Sequence, residues 1–162
     1  MTFINSYRIF YWDGEQSVQR LPLNPTDYLF DFALAIDPKR GWTYVGSWDG
    51  PPSHVLVLDR NQLVAKLPVG YDARHIAVDQ THDYVYVANR LSGALSVIRG
   101  TEVITHLSTR GVGPSFISVD EKQGYIYVSN ADYGGSIAVF GFDEQETQEP
   151  DFWQTWLPWI RR

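Results

Sequence analysis

Apolar and polar residues alternate along most of the chain in short runs, and three of those runs share one pattern. Leu34-Ala35-Ile36-Asp37, Ile76-Ala77-Val78-Asp79 and Ile117-Ser118-Val119-Asp120 place their aspartates 42 and then 41 residues apart. Each is followed by a turn and a run of aromatic and β-branched residues, Trp42 to Val45, Tyr84 to Val87 and Tyr125 to Val128, stepping by the same intervals. Alternation within a run predicts a strand, and the recurrence of whole runs predicts a repeated unit.

The rest of the unit follows in order. After the second strand comes a polar pair, Gly46-Ser47, Ala88-Asn89 or Ser129-Asn130, then a Gly-containing loop and a third strand, Val55 to Leu58, Ala94 to Ile98 or Ser136 to Phe140. A fourth strand follows twice, at Leu63 to Leu67 and Glu102 to Leu107, each entered through a tight turn. Near the N-terminus, Ile9 to Asp13 and Val18 to Pro22 match Val55 to Asp59 and Val64 to Pro68 at a constant offset of 46. With strands lettered A to D, the chain reads BCD, ABCD, ABCD, ABC. This divides it into a half-blade over 1–23, blades over 24–69 and 70–108, and a partial blade over 109–142.

An antiparallel meander of four short strands with apolar residues on both faces cannot bury itself. Such units stack, and radial stacking predicts an all-β protein of the β-propeller class. A β-sandwich has similar strands but no need of the same residues at the same phase in every unit. The Gly-His and Trp-Asp signatures of a WD40 propeller are missing from the repeated positions, since the single Trp48-Asp49 falls in a loop. Known closures take about 4 to 8 blades. Three and a half blades therefore imply either part of a longer propeller or one half of a two-chain, seven-bladed ring.

Composition narrows the function classes. A net charge of −6 and the lack of a Lys/Arg concentration argue against nucleic acid. With no cysteine, disulfides, thiolate metal sites and Cys nucleophiles are excluded. No basic region followed by an apolar run opens the chain, and no membrane span is expected. A complete chain would on that reading be cytoplasmic, and the compartment stays open if it is a fragment.

Tyr86-Val87-Ala88-Asn89 and Tyr127-Val128-Ser129-Asn130, with Ala94 to Ile98 after the first and Gly111-Val112-Gly113-Pro114 before the second, resemble the YVTN β-propeller repeat. The resemblance extends over residues 32–142. In the first unit Tyr44-Val45-Gly46-Ser47 lacks the Asn, and Ala73 stands where the family usually carries the Pro found at Pro114. Such a resemblance implies the fold and, for a fragment, an extracytoplasmic setting. The same architecture holds binding propellers, lactonases, a lyase and haem-binding domains, so chemistry has to be argued from a site.

In propellers the D-to-A and B-to-C loops line one end of the central channel. Here those loops gather Trp48, Asp49, Asp72, Arg74, His75, Asn89, Arg90, Arg110, Asn130, Asp132 and Tyr133, a set suited to a small polar ligand. Arg74 and His75, just before an inner strand, are the best pair for holding an anion or serving as acid or base. Asn at the end of a second strand also caps turns by bonding local backbone, as do Asp37, Asp79 and Asp120 in the A-to-B turns. His54, His75, His82 and His106 fall in different phases, with His82 and His106 on outer turns or strands, so no shared metal site is expected. No catalytic constellation and no cofactor motif is present.

From Asp143 the pattern breaks. An acidic linker over 143–151 leads to a Trp-rich tail over 152–162, in which Trp153, Trp156 and Trp159 predict an interface with a protein partner, the propeller body or a second copy. The reading is a non-enzymatic binding or scaffold propeller. Its alternatives are a lactonase- or lyase-like enzyme and an obligate assembly module.

Overall fold

Alternation of the kind found in Tyr84-Val85-Tyr86-Val87 sends successive side chains to opposite faces of a sheet, and each such run is a strand in the protein. The computed structural model describes residues 2–5, 8–11, 19–20, 28–48, 51–60, 62–131, 135–142 and 152–158, with side chains over 33–47, 51–60, 62–131 and 135–141. No helix occurs among the described residues.

The N-terminal sheet holds β1 (Thr2–Asn5), β2 (Arg8–Tyr11) and β3 (Gln19–Arg20) in sequence order. Blade 1 is β4 (Tyr28–Asp37), β5 (Trp42–Trp48), β6 (His54–Asp59) and β7 (Gln62–Pro68). Blade 2 is β8 (Ala73–Asp79), β9 (Tyr84–Asn89), β10 (Ala94–Arg99) and β11 (Glu102–Ser108). Blade 3 is β12 (Pro114–Asp120), β13 (Tyr125–Asn130), β14 (Ser136–Phe142) and β15 (Phe152–Pro158). Each blade is an antiparallel meander in chain order. The first strand β8 packs against both β4 and β12, so the A strands lie side by side toward a common axis. This is a partial β-propeller of about three blades.

Two apolar layers hold the blades together. Tyr44, Val55 and Val57 of blade 1 meet Ile76, Val85, Val87 and Ile98 of blade 2. On the opposite face of blade 2, Tyr84, Tyr86, Ala88, Leu95 and Val97 meet Ile117, Ile126, Val128, Ala138 and Phe140 of blade 3. Successive residues of β9 thus serve different interfaces, which explains why all six are buried. Removing a side chain such as Leu95 from water contributes roughly 1.5–3 kcal/mol.

The recurrent aspartates are turn residues. Asp37 Oδ1 accepts from the backbone of Lys39 and Arg40, Asp79 Oδ1 from Thr81 and His82, and Asp120 Oδ1 from Lys122 and Gln123, at 2.8–3.3 Å. Each turn closes on a residue in the left-handed region, Gly41, Asp83 or Gly124 at φ 65–71°. Neighbouring blades are also tied by polar links. Arg40 bonds Asp37 of its own blade and, bidentately at 2.5 Å, Asp83 of the next. Tyr44 donates its hydroxyl to Gly100 O at 3.1 Å, and burial pushes its pKa up to about 12.

Two features differ from the sequence reading. The repeat ends at 142 by spacing, yet Phe152–Pro158 pairs along the whole of β14, from Phe142↔Phe152 to Ser136↔Pro158, and supplies the fourth strand of blade 3. The intervening 143–151 breaks the period, so a strand delayed by an insertion carries no phase signal. In addition, β4 starts at Tyr28, well before the first expected run at Leu34, with a register shift between Leu29 and Leu34.

Candidate functional site

The ends of β8 and β12 share one distortion. Ala73 pairs with Asn89 and His75 with Ala88, which leaves Arg74 as an extra residue, and Pro114↔Asn130 with Phe116↔Ser129 leaves Ser115 in the same position. A one-residue bulge re-aims the side chains around it. The preceding loops turn through the left-handed region at Asp72 (φ 59°) and Gly113 (φ 73°). The B-to-C loops are pinned onto them, with Arg90 N donating to Asp72 O at 2.9 Å and Ala131 N to Gly113 O at 3.0 Å.

Between these two bulges lies a cleft of about 580 Å³, lined by Arg74, His75, Arg90, Ser115, Phe116 and Ala131. Each residue of the blade 3 triplet stands 41 positions after its blade 2 counterpart. The cleft is therefore one set of three positions, used twice. This is also where the sequence reading fell short: Ser115, Phe116 and Ala131 carry no chemical motif, but the repeat period points straight to them.

The donors in the cleft are largely unspent among the described residues. Arg74 uses Nε on Asp72 at 3.1 Å, and Arg90 Nη1 lies 3.7 Å from the same carboxylate. Asp72 itself is partly buried, with a side chain 10% exposed. Two guanidiniums facing one carboxylate leave a net charge of +1. His75 Nδ1 accepts from Ile117 N–H at 3.4 Å, which assigns the ring proton to Nε2. Burial holds this imidazole below its ordinary pKa, so it is neutral at pH 7. Its ring packs on Phe116 with centroids 4.1 Å apart at 37°, while Phe116 remains 58% exposed. Ser115 donates its hydroxyl to Gly113 O at 2.7 Å.

Of the residues singled out from sequence, Arg74, His75 and Arg90 line the cleft and Asp72 stands behind them. Asn89 and Asn130 are buried and face inward. Asn89 Nδ2 lies within hydrogen-bond distance of Val87 O, Ala94 O and Ser96 Oγ, and Asn130 Nδ2 donates to Ser136 Oγ at 3.1 Å. Arg110 is exposed with φ 50°, its N–H bonded to Ser108 Oγ, and it does not line the cleft. The backbone of Trp48 ends β5, and Asp49, Asp132, Tyr133 and Trp159 lie outside the described residues. Trp153 and Trp156 belong to β15. His82 bonds Asp79 in a turn, and His106 bonds Ser96 on the edge strand β11. No group of three or more His, Cys, Asp or Glu suited to a metal occurs among the described residues.

Blades of this topology with a cleft at the loop end define a segment of a β-propeller, and solved structures that resemble the chain are β-propeller-like. A protein of unknown function from Desulfotomaculum acetoxidans aligns at TM-score 0.67 and 11% identity over 94% of this chain and 50% of its own. A provisional 6-phosphogluconolactonase from Bacteroides uniformis aligns at TM-score 0.62 and 16% identity over 97% of this chain and 56% of its own. Hydrazine synthase of Kuenenia stuttgartiensis aligns at TM-score 0.68 and 17% identity over 83% of this chain and 40% of its own. The chain thus spans about half the length of these structures. It matches no family model and no curated protein. No helix among the described residues is long and apolar enough to cross a membrane.

Proposed function

We propose that this chain is a binding segment of a YVTN-type β-propeller that holds a small anionic ligand in the cleft between blades 2 and 3. The observation that carries this reading is the presence of Arg74, Arg90 and His75, whose ring proton sits on Nε2, on one cleft, with Asp72 the carboxylate paired to both arginines among the described residues. A concave site with a few convergent polar groups at loop ends is where propellers can hold ligands. The experiment is a thermal-shift panel of small anions, sugars and lactones on the full chain and on Arg90→Ala. Stabilisation by anions that Arg90→Ala loses supports the reading. Turnover of a lactone that His75→Ala abolishes would replace it with the enzymatic alternative.

A second reading, an assembly module, is favoured by a separate observation. Tyr84, Tyr86 and Ala88 are buried against blade 3, whereas their counterparts Tyr125, Tyr127 and Ser129 stay partly exposed and join no core cluster. This face is built like one that receives another blade. The interface assigned to Trp153, Trp156 and Trp159 belongs with this reading. Light scattering across a dilution series tests it, since a mass of one chain at all concentrations would rule out self-pairing.

A further inference from the structure

We infer that the ligand of this cleft is a planar, conjugated monocarboxylate, its carboxylate held between Arg74 and Arg90 and its ring system lying on Phe116. The inference rests on the reading of the cleft as a ligand site and specifies what that site selects.

Three features of the cleft carry it. The first is charge: Arg74, Arg90 and Asp72 together carry one net positive charge, which a monoanion matches. The second is hydrogen-bonding type. Among the described lining residues, Arg74 and Arg90 keep donor capacity through their Nη groups and His75 through Nε2–H, whereas Ser115 has committed its proton to Gly113 O and can only accept. A guanidinium fork meets a carboxylate in its own plane, so an acceptor-only, planar head group fits.

The third is the wall. Phe116 presents more than half of its surface beside those donors, and the neutral His75 ring packed at 4.1 Å extends the same apolar surface. An aromatic face prefers a second flat ring, offset-stacked or edge-on, over a puckered aliphatic body. At about 580 Å³ the cleft has room for a ring system larger than a single benzene.

The test is a residue-resolved NMR titration of the full chain with trans-cinnamate, its neutral isostere cinnamide, the non-planar 3-cyclohexylpropionate, and inorganic phosphate. Expected are shifts confined to the cleft residues with cinnamate, binding about tenfold weaker or more for cinnamide, and binding about three- to tenfold weaker for 3-cyclohexylpropionate. Arg74→Ala and Arg90→Ala should each lower cinnamate affinity about tenfold. Equal binding of cinnamate and 3-cyclohexylpropionate overturns the planar assignment. Phosphate binding without cinnamate binding overturns the carboxylate assignment and leaves the anion site standing. If no anion shifts the cleft residues, both the inference and the site reading fall.

Discussion

His75 and Phe116 occupy the same position in successive blades, 41 residues apart in sequence, and their rings are in contact at 4.1 Å. The chain has filled one repeated place with two different flat rings and set them against each other at the mouth of a cleft. His75 is also the group there whose charge changes near neutral pH.

Its titration gives the first prediction. Burial lowers the folded-state pKa of His75 below 6.5, so the unfolded chain takes up this proton more readily than the folded one. The stability linked to His75 is fully present above pH 6.5 and is lost as pH falls from there through the folded-state pKa. In His75→Phe, which copies blade 3, that part of the acid sensitivity should vanish. Urea melts of both proteins between pH 7.5 and 5 check it, and parallel curves would show that His75 does not titrate differently on folding.

Arg40 gives the second. Its guanidinium holds the Asp83 carboxyl below the ordinary carboxylate range, and the pair joins blades 1 and 2. A depressed carboxylate contributes stability above its unfolded pKa, and that contribution disappears as pH falls below about 4. Both side chains are about a third exposed, so solvent screening limits the effect of Asp83→Asn, which leaves the Arg40–Asp37 bond in place, to about 1 kcal/mol or less. The difference from wild type, measured by denaturation, should shrink in 1 M salt and again at pH 3.

Gly70 gives the third. A Cβ there would stand 2.6 Å from Asn89 Cβ and 2.7 Å from Asn89 Cγ, and a Cβ at Gly111 would meet Asn130 in the same way at 2.4 Å. These asparagines are buried and bonded into their blades, so they cannot step aside. Gly70→Ala is expected to cost about 1–3 kcal/mol through overpacking. Asn89→Ala should not rescue the fold, because Ser96 Oγ and the carbonyls of Val87 and Ala94 would lose a buried donor. Chemical denaturation of the two single variants and the double variant gives the comparison.

The fourth concerns β15. Truncation after residue 142 would expose the edge of β14, whose backbone now pairs with Phe152–Pro158 along its full length. An unpaired edge recruits other strands. The truncated chain should form higher-mass species by light scattering at concentrations where the full chain does not, and an unchanged mass would show that the edge is otherwise covered.

How far the sequence carried depended on phase. Strands, turns and blade order followed from aspartates and aromatic pairs recurring at 41 or 42 residues, since backbone geometry repeats whenever the turn chemistry does. Arg74, His75 and Arg90 were legible because charged and titratable side chains at loop ends are conspicuous. Phe116 was not, because an aromatic residue at the start of a strand reads as core, and only the bulge at Ser115 explains its exposure. Asn89 and Asn130, which read from sequence more as turn caps than as ligand contacts, bond by their amide nitrogens into their own blades. The strand at 152–158 was invisible for the opposite reason, as it lies out of phase.

A cleft assembled from one set of positions used twice makes blade 2 and blade 3 each the owner of one half-site. A change at Arg74 or His75 therefore alters the half that blade 2 supplies and leaves the half from blade 3 in place. In such a protein, recognition changes as a text does when a letter is replaced: one word is rewritten, and the rest of the line is kept.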